Sequence, residues 1–202
     1  HTLSTATNFT LPIFKQELEA IKTVLVRDHH SLYVTEINSL INRVHLFGFH
    51  FAALDIRQDS RAHHKVFTAV VANELKNNSG IFPANYHALT AAEQVVVLSK
   101  ISGSITLSDF SEETVYNTLK TIETIQTIQT INGEKAANRY IISNNQTSLH
   151  VMQLFAMLKL VAFQDQLTID IGPLFETITD LENAHIVMDE LYSNVAYRNH
   201  VH

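Results

Sequence analysis

Leu54-Asp55-Ile56-Arg57-Gln58-Asp59-Ser60 is the stretch on which the reading of this chain turns. An apolar run from Val44 to Leu54 passes directly into a compact polar cluster with one arginine. A buried strand that ends this way delivers a charged group to the rim of a sheet or barrel. Arg57 is therefore the first candidate site residue, because a guanidinium there can grip a phosphate or carboxylate through two parallel hydrogen bonds. From spacing alone, a structural ion pair with Asp55 or Asp59 competes with that role.

Outward from this stretch, the apolar periodicity is mostly helical. Leu18, Ile21, Val24 and Leu25 predict a helix over residues 13–28, and Leu32, Ile37, Leu40, Ile41 and Val44 a second. Leu46 to Ile56, apolar and rich in Phe, predicts a strand near its end. Asp59-Ser60 caps a helix through Val66, Val70, Val71 and Leu75, which Asn77-Asn78-Ser79-Gly80 stops. Thr90-Ala91-Ala92-Glu93 is a capping-box pattern opening a further helix. Another begins at Asp109 to Ser111 and carries Val115, Leu119, Ile122 and Ile125.

The repeat from Thr121 to Ile131 sets isoleucines at a strict period of three. On an α-helix such a stripe drifts around the axis, which suits a solvated helix rather than a coiled coil. Tyr140-Ile141-Ile142-Ser143 predicts a second buried strand. Met152 to Val161 predicts a core helix; if the chain is cut from a larger barrel, self-association or domain-swapped or non-native packing is expected along this helix or the strand edges. Leu167 to Ile171, ending at Gly172-Pro173, predicts a third strand, and Thr179 to Tyr197 a closing helix. Strands separated by helices imply a parallel sheet with crossovers. The fold class is thus α/β and helix-rich, with about three parallel strands. Three strands cannot close a barrel, so this is either a sheet with helical insertions or a piece of a larger (β/α) barrel.

Bulk properties narrow the function. The 202 residues carry a formal net charge of −6. No basic patch of the kind that neutralises nucleic-acid phosphates is visible, and no apolar run reaches the length of a membrane span. With no cysteine, neither a disulfide framework nor a thiolate metal site is possible; a reducing cytoplasm fits. Twelve histidines include the pairs His29-His30 and His63-His64, yet none forms a His-Glu-x-x-His pattern. They read as surface and core-edge residues. Glu176, just beyond the third strand, is the second candidate: a carboxylate at a strand's C-terminal end can bind Mg²⁺ or Mn²⁺. Its competing role is at a helix N-terminus, where the dipole favours negative charge.

Val44-His45-Leu46-Phe47-Gly48 followed by Leu54 to Ser60, then Tyr140-Ile141-Ile142-Ser143, then Pro173-Leu174-Phe175-Glu176-Thr177 with Asp180-Leu181 and Ala184, and finally Tyr197-Arg198 resemble the phosphoenolpyruvate carboxylase family in order and spacing. The resemblance is firmest from Val44 to Arg198. It implies a fragment of a TIM-type barrel, with residues 1–45 a helical lead-in and 46–202 a strand/helix barrel segment. It also implies a cytoplasmic homotetrameric parent that adds bicarbonate to phosphoenolpyruvate, forming oxaloacetate and phosphate with Mg²⁺ or Mn²⁺. Arg57 would then bind the substrate's anionic groups, and Glu176 would be one of two protein carboxylates on the metal.

The chain departs from the family pattern at Ala62 and at Leu149-His150. It contains no Thr-Ala-His-Pro segment, no Gly-Tyr-Ser-Asp-Ser segment with the second metal carboxylate, and no late Arg-Gly-Gly loop. These 202 residues are therefore expected to be inactive alone and to need the remainder of the enzyme chain. A non-catalytic scaffold or assembly module derived from the barrel is the alternative. Neither nucleic acid nor membrane is an expected partner.

Overall fold

Thr10 opens the first helix by accepting the amide of Ile13, and α1 runs Leu11–Asp28 with Pro12 in its first turn. Proline is harmless there because first-turn N–H groups have no intrahelical partner. Helix α2 (Val34–Phe47) packs on α1 through Leu18, Ile41 and Val44. The rings of Phe9, Phe14 and Phe49 cluster beside them. The apolar run from Leu46 opens as helix, and only its end, from Asp55, enters a strand. Leu46 and Phe47 complete α2, and Gly48, at φ 53°, ends it by donating its N–H to the Val44 carbonyl. A left-handed residue of this kind is a common helix stop. The structure, a computed structural model, describes residues 9–50 and 52–201. The chain divides into two compact units, His1–Ala53 and Leu54–His202, and this helix pair belongs to the first.

The second unit is built on a parallel sheet in the order β1 (Asp55–Asp59), β2 (Arg139–Ser143), β3 (Asp170–Pro173). Parallel neighbours need long crossovers. Helices α3 (Ser60–Lys76), α4 (Ala91–Ser99) and α5 (Glu113–Asn132) lie between β1 and β2. Helix α6 (Ser148–Leu158), extended by a π-helical turn Lys159–Phe163, lies between β2 and β3. Helices α7 (Ile178–Ser193) and α8 (Val195–Val201) follow. β1 begins nine residues later than the apolar run that announced it, and β3 ends on Pro173 rather than before it. That proline lies in an outer strand, where a missing N–H is tolerated. The single closing helix expected over Thr179 to Tyr197 is two, divided at Asn194, whose backbone is extended. Among the described residues no helix is long and apolar enough to cross a membrane.

Alternation along each strand separates two faces. Tyr140, Ile142 and Ile171 point into the helical layer and are buried, with Ile56 packed beside them. The opposite face carries Asp55, Arg57, Arg139, Ile141, Asp170 and Gly172, with Asp55 and Arg139 paired at 2.8 Å. A Cβ at Gly172 on that face would lie 3.0 Å from Ile141 Cδ1, so a larger residue there would have to push that side-chain tip aside.

Helix α6 is the centre of the core. Every residue from Val151 to Leu158 is buried, as expected of a helix apolar on nearly all sides, and its one polar member, Gln153, is hydrogen-bonded to His64. Over Val151 to Leu158 the helix therefore presents no open apolar face. The apolar side chains that do reach solvent in this unit include Ile178, Leu181 and Val195 on α7 and α8. In α5 the period-three isoleucines drift as the sequence requires: Ile122 and Ile125 are buried, and Ile131 is 73% exposed.

Helix α7 starts with a reciprocal capping box: Asp180 N donates to Thr177 Oγ1, and Thr177 N to Asp180 Oδ2. Thr177→Ala is expected to cost about 1 kcal/mol, the usual worth of an N-cap. Urea unfolding measures it, and an unchanged midpoint would show that the cap contributes nothing.

Candidate functional site

The tertiary fold brings the two candidate residues together. Arg57 Nη2 donates to Glu176 Oε1 at 2.8 Å across 119 residues of chain. Arg57 is the middle residue of β1, in register with Ile141 of β2. Glu176 lies three residues past the end of β3 and directly before the Thr177 cap of α7. Both competing partners of Arg57 are engaged elsewhere. Asp55 pairs with Arg139, and Asp59 with Arg61 at 2.7 Å. The Arg61 guanidinium holds the Asp59 carboxyl down at about 2.

Glu176 is held from a second side. Its Oε2 accepts the backbone N–H of Asn144 at 2.8 Å, in the loop that leaves β2. The same loop is tied down at two further points: Ser60 Oγ donates to the Asn144 carbonyl at 2.6 Å, and Asn145 N donates to the Leu174 carbonyl at 3.1 Å. Leu174 N in turn donates to Ile142 O, continuing the ladder beyond β3. The loops after β2 and β3 and the first residue of α3 thus converge at the C-terminal ends of the strands. Function in parallel α/β sheets is concentrated at that end.

The Arg57–Glu176 pair sets one guanidinium against one carboxylate, both partly exposed at 57% and 39% of their side chains. A pair this wet contributes little to stability, so it is free to exchange partners. The guanidinium suits a phosphate or carboxylate. The carboxylate offers the hard oxygens that Mg²⁺ and Mn²⁺ prefer. Glu176 fits as one ligand of such a cation and no more: among the described residues no group of three or more His, Cys, Asp or Glu is arranged to hold a metal.

Behind the sheet sits a buried pair that the sequence did not announce. His63, fully buried on α3, meets Tyr140 of β2, with Nε2 and the phenol oxygen 3.0 Å apart. Burial pushes His63 down to about 4 and Tyr140 well above the ordinary tyrosine value. His64, its neighbour, turns outward to Gln153. Asn144 and Ser60 were likewise missed. The signal for the first was the Asn144-Asn145 doublet directly after a strand, since Asn tolerates left-handed backbone. A cavity of about 640 Å³ lined by Gln126, Gln129, Glu134, Asp165 and Thr168 lies instead beside the segments that lead into β2 and β3.

Comparison with known proteins gives these residues a context. The model of the phosphoenolpyruvate carboxylase family matches residues 8–202. The phosphoenolpyruvate carboxylase of Parasynechococcus marenigrum (strain WH8102) is 29% identical over 200 residues, covering 92% of this chain and 18% of that protein. The enzyme of the same name from Nitrosomonas eutropha (strain DSM 101675 / C91 / Nm57) is 33% identical over 188 residues, 88% of this chain and 20% of that protein. That of Nitrosomonas europaea (strain ATCC 19718 / CIP 103999 / KCTC 2705 / NBRC 14298) is 32% identical over 185 residues, 86% and 19%. The chain spans about a fifth of the length of the curated relatives it matches. A match over nearly every residue, including the two strand-end segments that meet at Arg57 and Glu176, means that the chain belongs to the phosphoenolpyruvate carboxylase family.

Proposed function

We propose that this chain forms one side of the active site of a phosphoenolpyruvate carboxylase, which makes oxaloacetate and phosphate from phosphoenolpyruvate and bicarbonate. The observation that carries this reading is the contact between Arg57, in the middle of β1, and Glu176, three residues past the C-terminal end of β3. It unites the two segments that most resemble the family. Arg57 binds the anionic groups of the substrate and opposes the charge that develops on phosphate and enolate oxygens. Glu176 is one of the carboxylates that hold Mg²⁺ or Mn²⁺. A divalent cation bound there supplies Lewis-acid stabilisation of the same charge.

The larger frame is a (β/α) barrel of which β1, β2 and β3 are three strands. Parallel order supports it, as does a polar sheet face bearing Arg57. So do the outer strands, which have no further strand partner among the described residues. The remaining ligands and donors come from outside these residues, so the 202-residue chain alone makes no oxaloacetate. We further place the parent enzyme in the cytoplasm as a homotetramer, on the family resemblance.

The test is made in the full-length protein. It should form oxaloacetate from phosphoenolpyruvate and bicarbonate in the presence of Mg²⁺. Glu176→Ala should weaken metal affinity by about 100-fold or more, beyond the roughly 10- to 100-fold typical of removing a group that only supports a ligand, and excess Mn²⁺ should recover part of the rate. No oxaloacetate from the starting protein, or unchanged metal affinity in the variant, would reject the reading.

A further inference from the structure

We propose that Asn144 and Ser60 are positioning residues for the Glu176 carboxylate. In this arrangement the backbone N–H of Asn144, set by a left-handed residue and clamped by the Ser60 hydroxyl, decides where that carboxylate sits. The inference rests on the reading of Glu176 as a metal ligand and adds to it the device that aims the ligand.

Two peptide planes meet at Asn144. The N–H of Asn144 belongs to the plane before its Cα and donates to Glu176 Oε2 at 2.8 Å. The carbonyl of Asn144 and the N–H of Asn145 belong to the plane after it. The first accepts from Ser60 Oγ at 2.6 Å, and the second donates to Leu174 O at 3.1 Å. The dihedral angles of a single residue, Asn144, fix the angle between the planes. Its φ is 53°, the left-handed region that L-residues rarely occupy. A return to ordinary backbone would swing one plane relative to the other and break at least one of the three bonds.

Non-glycine residues held in this region concentrate at functional sites, where the surroundings over-determine them. Here the surroundings are identifiable. Ser60 is completely buried at the start of α3, three residues after Arg57. Its hydroxyl therefore ties the arginine's own strand and helix to the loop that holds the glutamate. The acid and the guanidinium are registered to each other through this link as well as through their direct contact.

The experiment uses the full-length carboxylase and reads the Mn²⁺ dissociation constant by calorimetry beside kcat/KM. Valine resists the left-handed region because its β-branched side chain crowds the backbone, whereas glycine accepts it freely. Asn144→Val should weaken Mn²⁺ binding about tenfold and lower kcat/KM at least as much, with Asn144→Gly restoring both to within about threefold of the starting protein. Ser60→Ala should weaken Mn²⁺ binding by about three- to tenfold.

The proposal is overturned if Asn144→Gly falls as far as Asn144→Val, since the side chain and not the backbone would then be at work. It is also overturned if Ser60→Ala binds Mn²⁺ like the starting protein while Glu176→Gln does not. Unchanged binding in Glu176→Gln itself would instead remove the reading of Glu176 on which the proposal stands. Should Asn144→Val fail to fold, Ser60→Ala against Glu176→Gln decides the matter.

Discussion

If Arg57 binds substrate as proposed, Arg57→Ala in the full-length protein is expected to lower kcat/KM by roughly 10²-fold or more, about 3 kcal/mol, with little change in melting temperature. The magnitude is that of removing one preorganised donor from a site where negative charge builds up in the transition state. The unchanged stability follows from exposure. Arg57 is 57% exposed and its pair with Glu176 is solvated, and such pairs contribute from zero to about 1 kcal/mol to folding. Asp55 and Asp59 lose nothing in the variant, since Arg139 and Arg61 already neutralise them. Arg57→Lys should rescue only in part, because an ammonium keeps the charge without the planar fork. Steady-state kinetics beside a thermal melt decide the point. A rate loss that tracks a lowered melting temperature would make Arg57 a structural residue.

The second large effect is on stability against pH. Burial holds His63 at about 4, against 6.5 for an unstrained histidine, so the folded state keeps it neutral. The group faces Tyr140 from β2, whose phenol stays protonated, and Asp59, which partly offsets the desolvation. His150 of α6 adds to the depression. Below pH 6.5 the unfolded chain binds a proton that the folded chain refuses. Folding stability is therefore full above pH 6.5 and is lost as the pH falls toward 4. A depression of this size corresponds to roughly 3 kcal/mol across that window.

His150 and His200 are also pushed down by burial and act in the same direction, so the measurement is a difference. Urea unfolding of the starting protein and of His63→Gln between pH 7 and 4 should show a shallower slope in the variant, by up to one proton. Asp59 does not confuse the result, because its window lies between its ordinary 3.8 and about 2. Parallel curves for the two proteins would place the charging of His63 outside the acid response.

Much of this molecule was legible in one dimension. The Asp59 and Thr90 caps, the largely apolar helix within Met152 to Val161 and the drifting isoleucines of α5 follow from side-chain period and capping chemistry. Those signals act within a few residues of chain. Strand positions were less legible. Leu46 to Leu54 has the composition of a strand, yet its first residues complete α2 and the pairing strand begins at Asp55. Whether an apolar run becomes helix or sheet is settled by which backbone partners are available, and the partners of β1 lie 84 residues downstream.

The site divides in the same way. By itself the sequence determined which two residues are the candidates: Arg57 because an arginine follows an apolar run, and Glu176 because a carboxylate follows a strand that ends in Gly172-Pro173, with the family resemblance setting both above their competing ion-pair and helix-terminus roles. Only the tertiary structure decided that they meet, that Asp55 and Asp59 are taken by other arginines, and that the Asn144 amide and the buried Ser60 hydroxyl hold the carboxylate in place. The physical reason is the range of the interactions. Periodicity and capping are local, whereas a hydrogen bond closing 119 residues of chain exists only after three strands have paired and the helical core beneath them has packed.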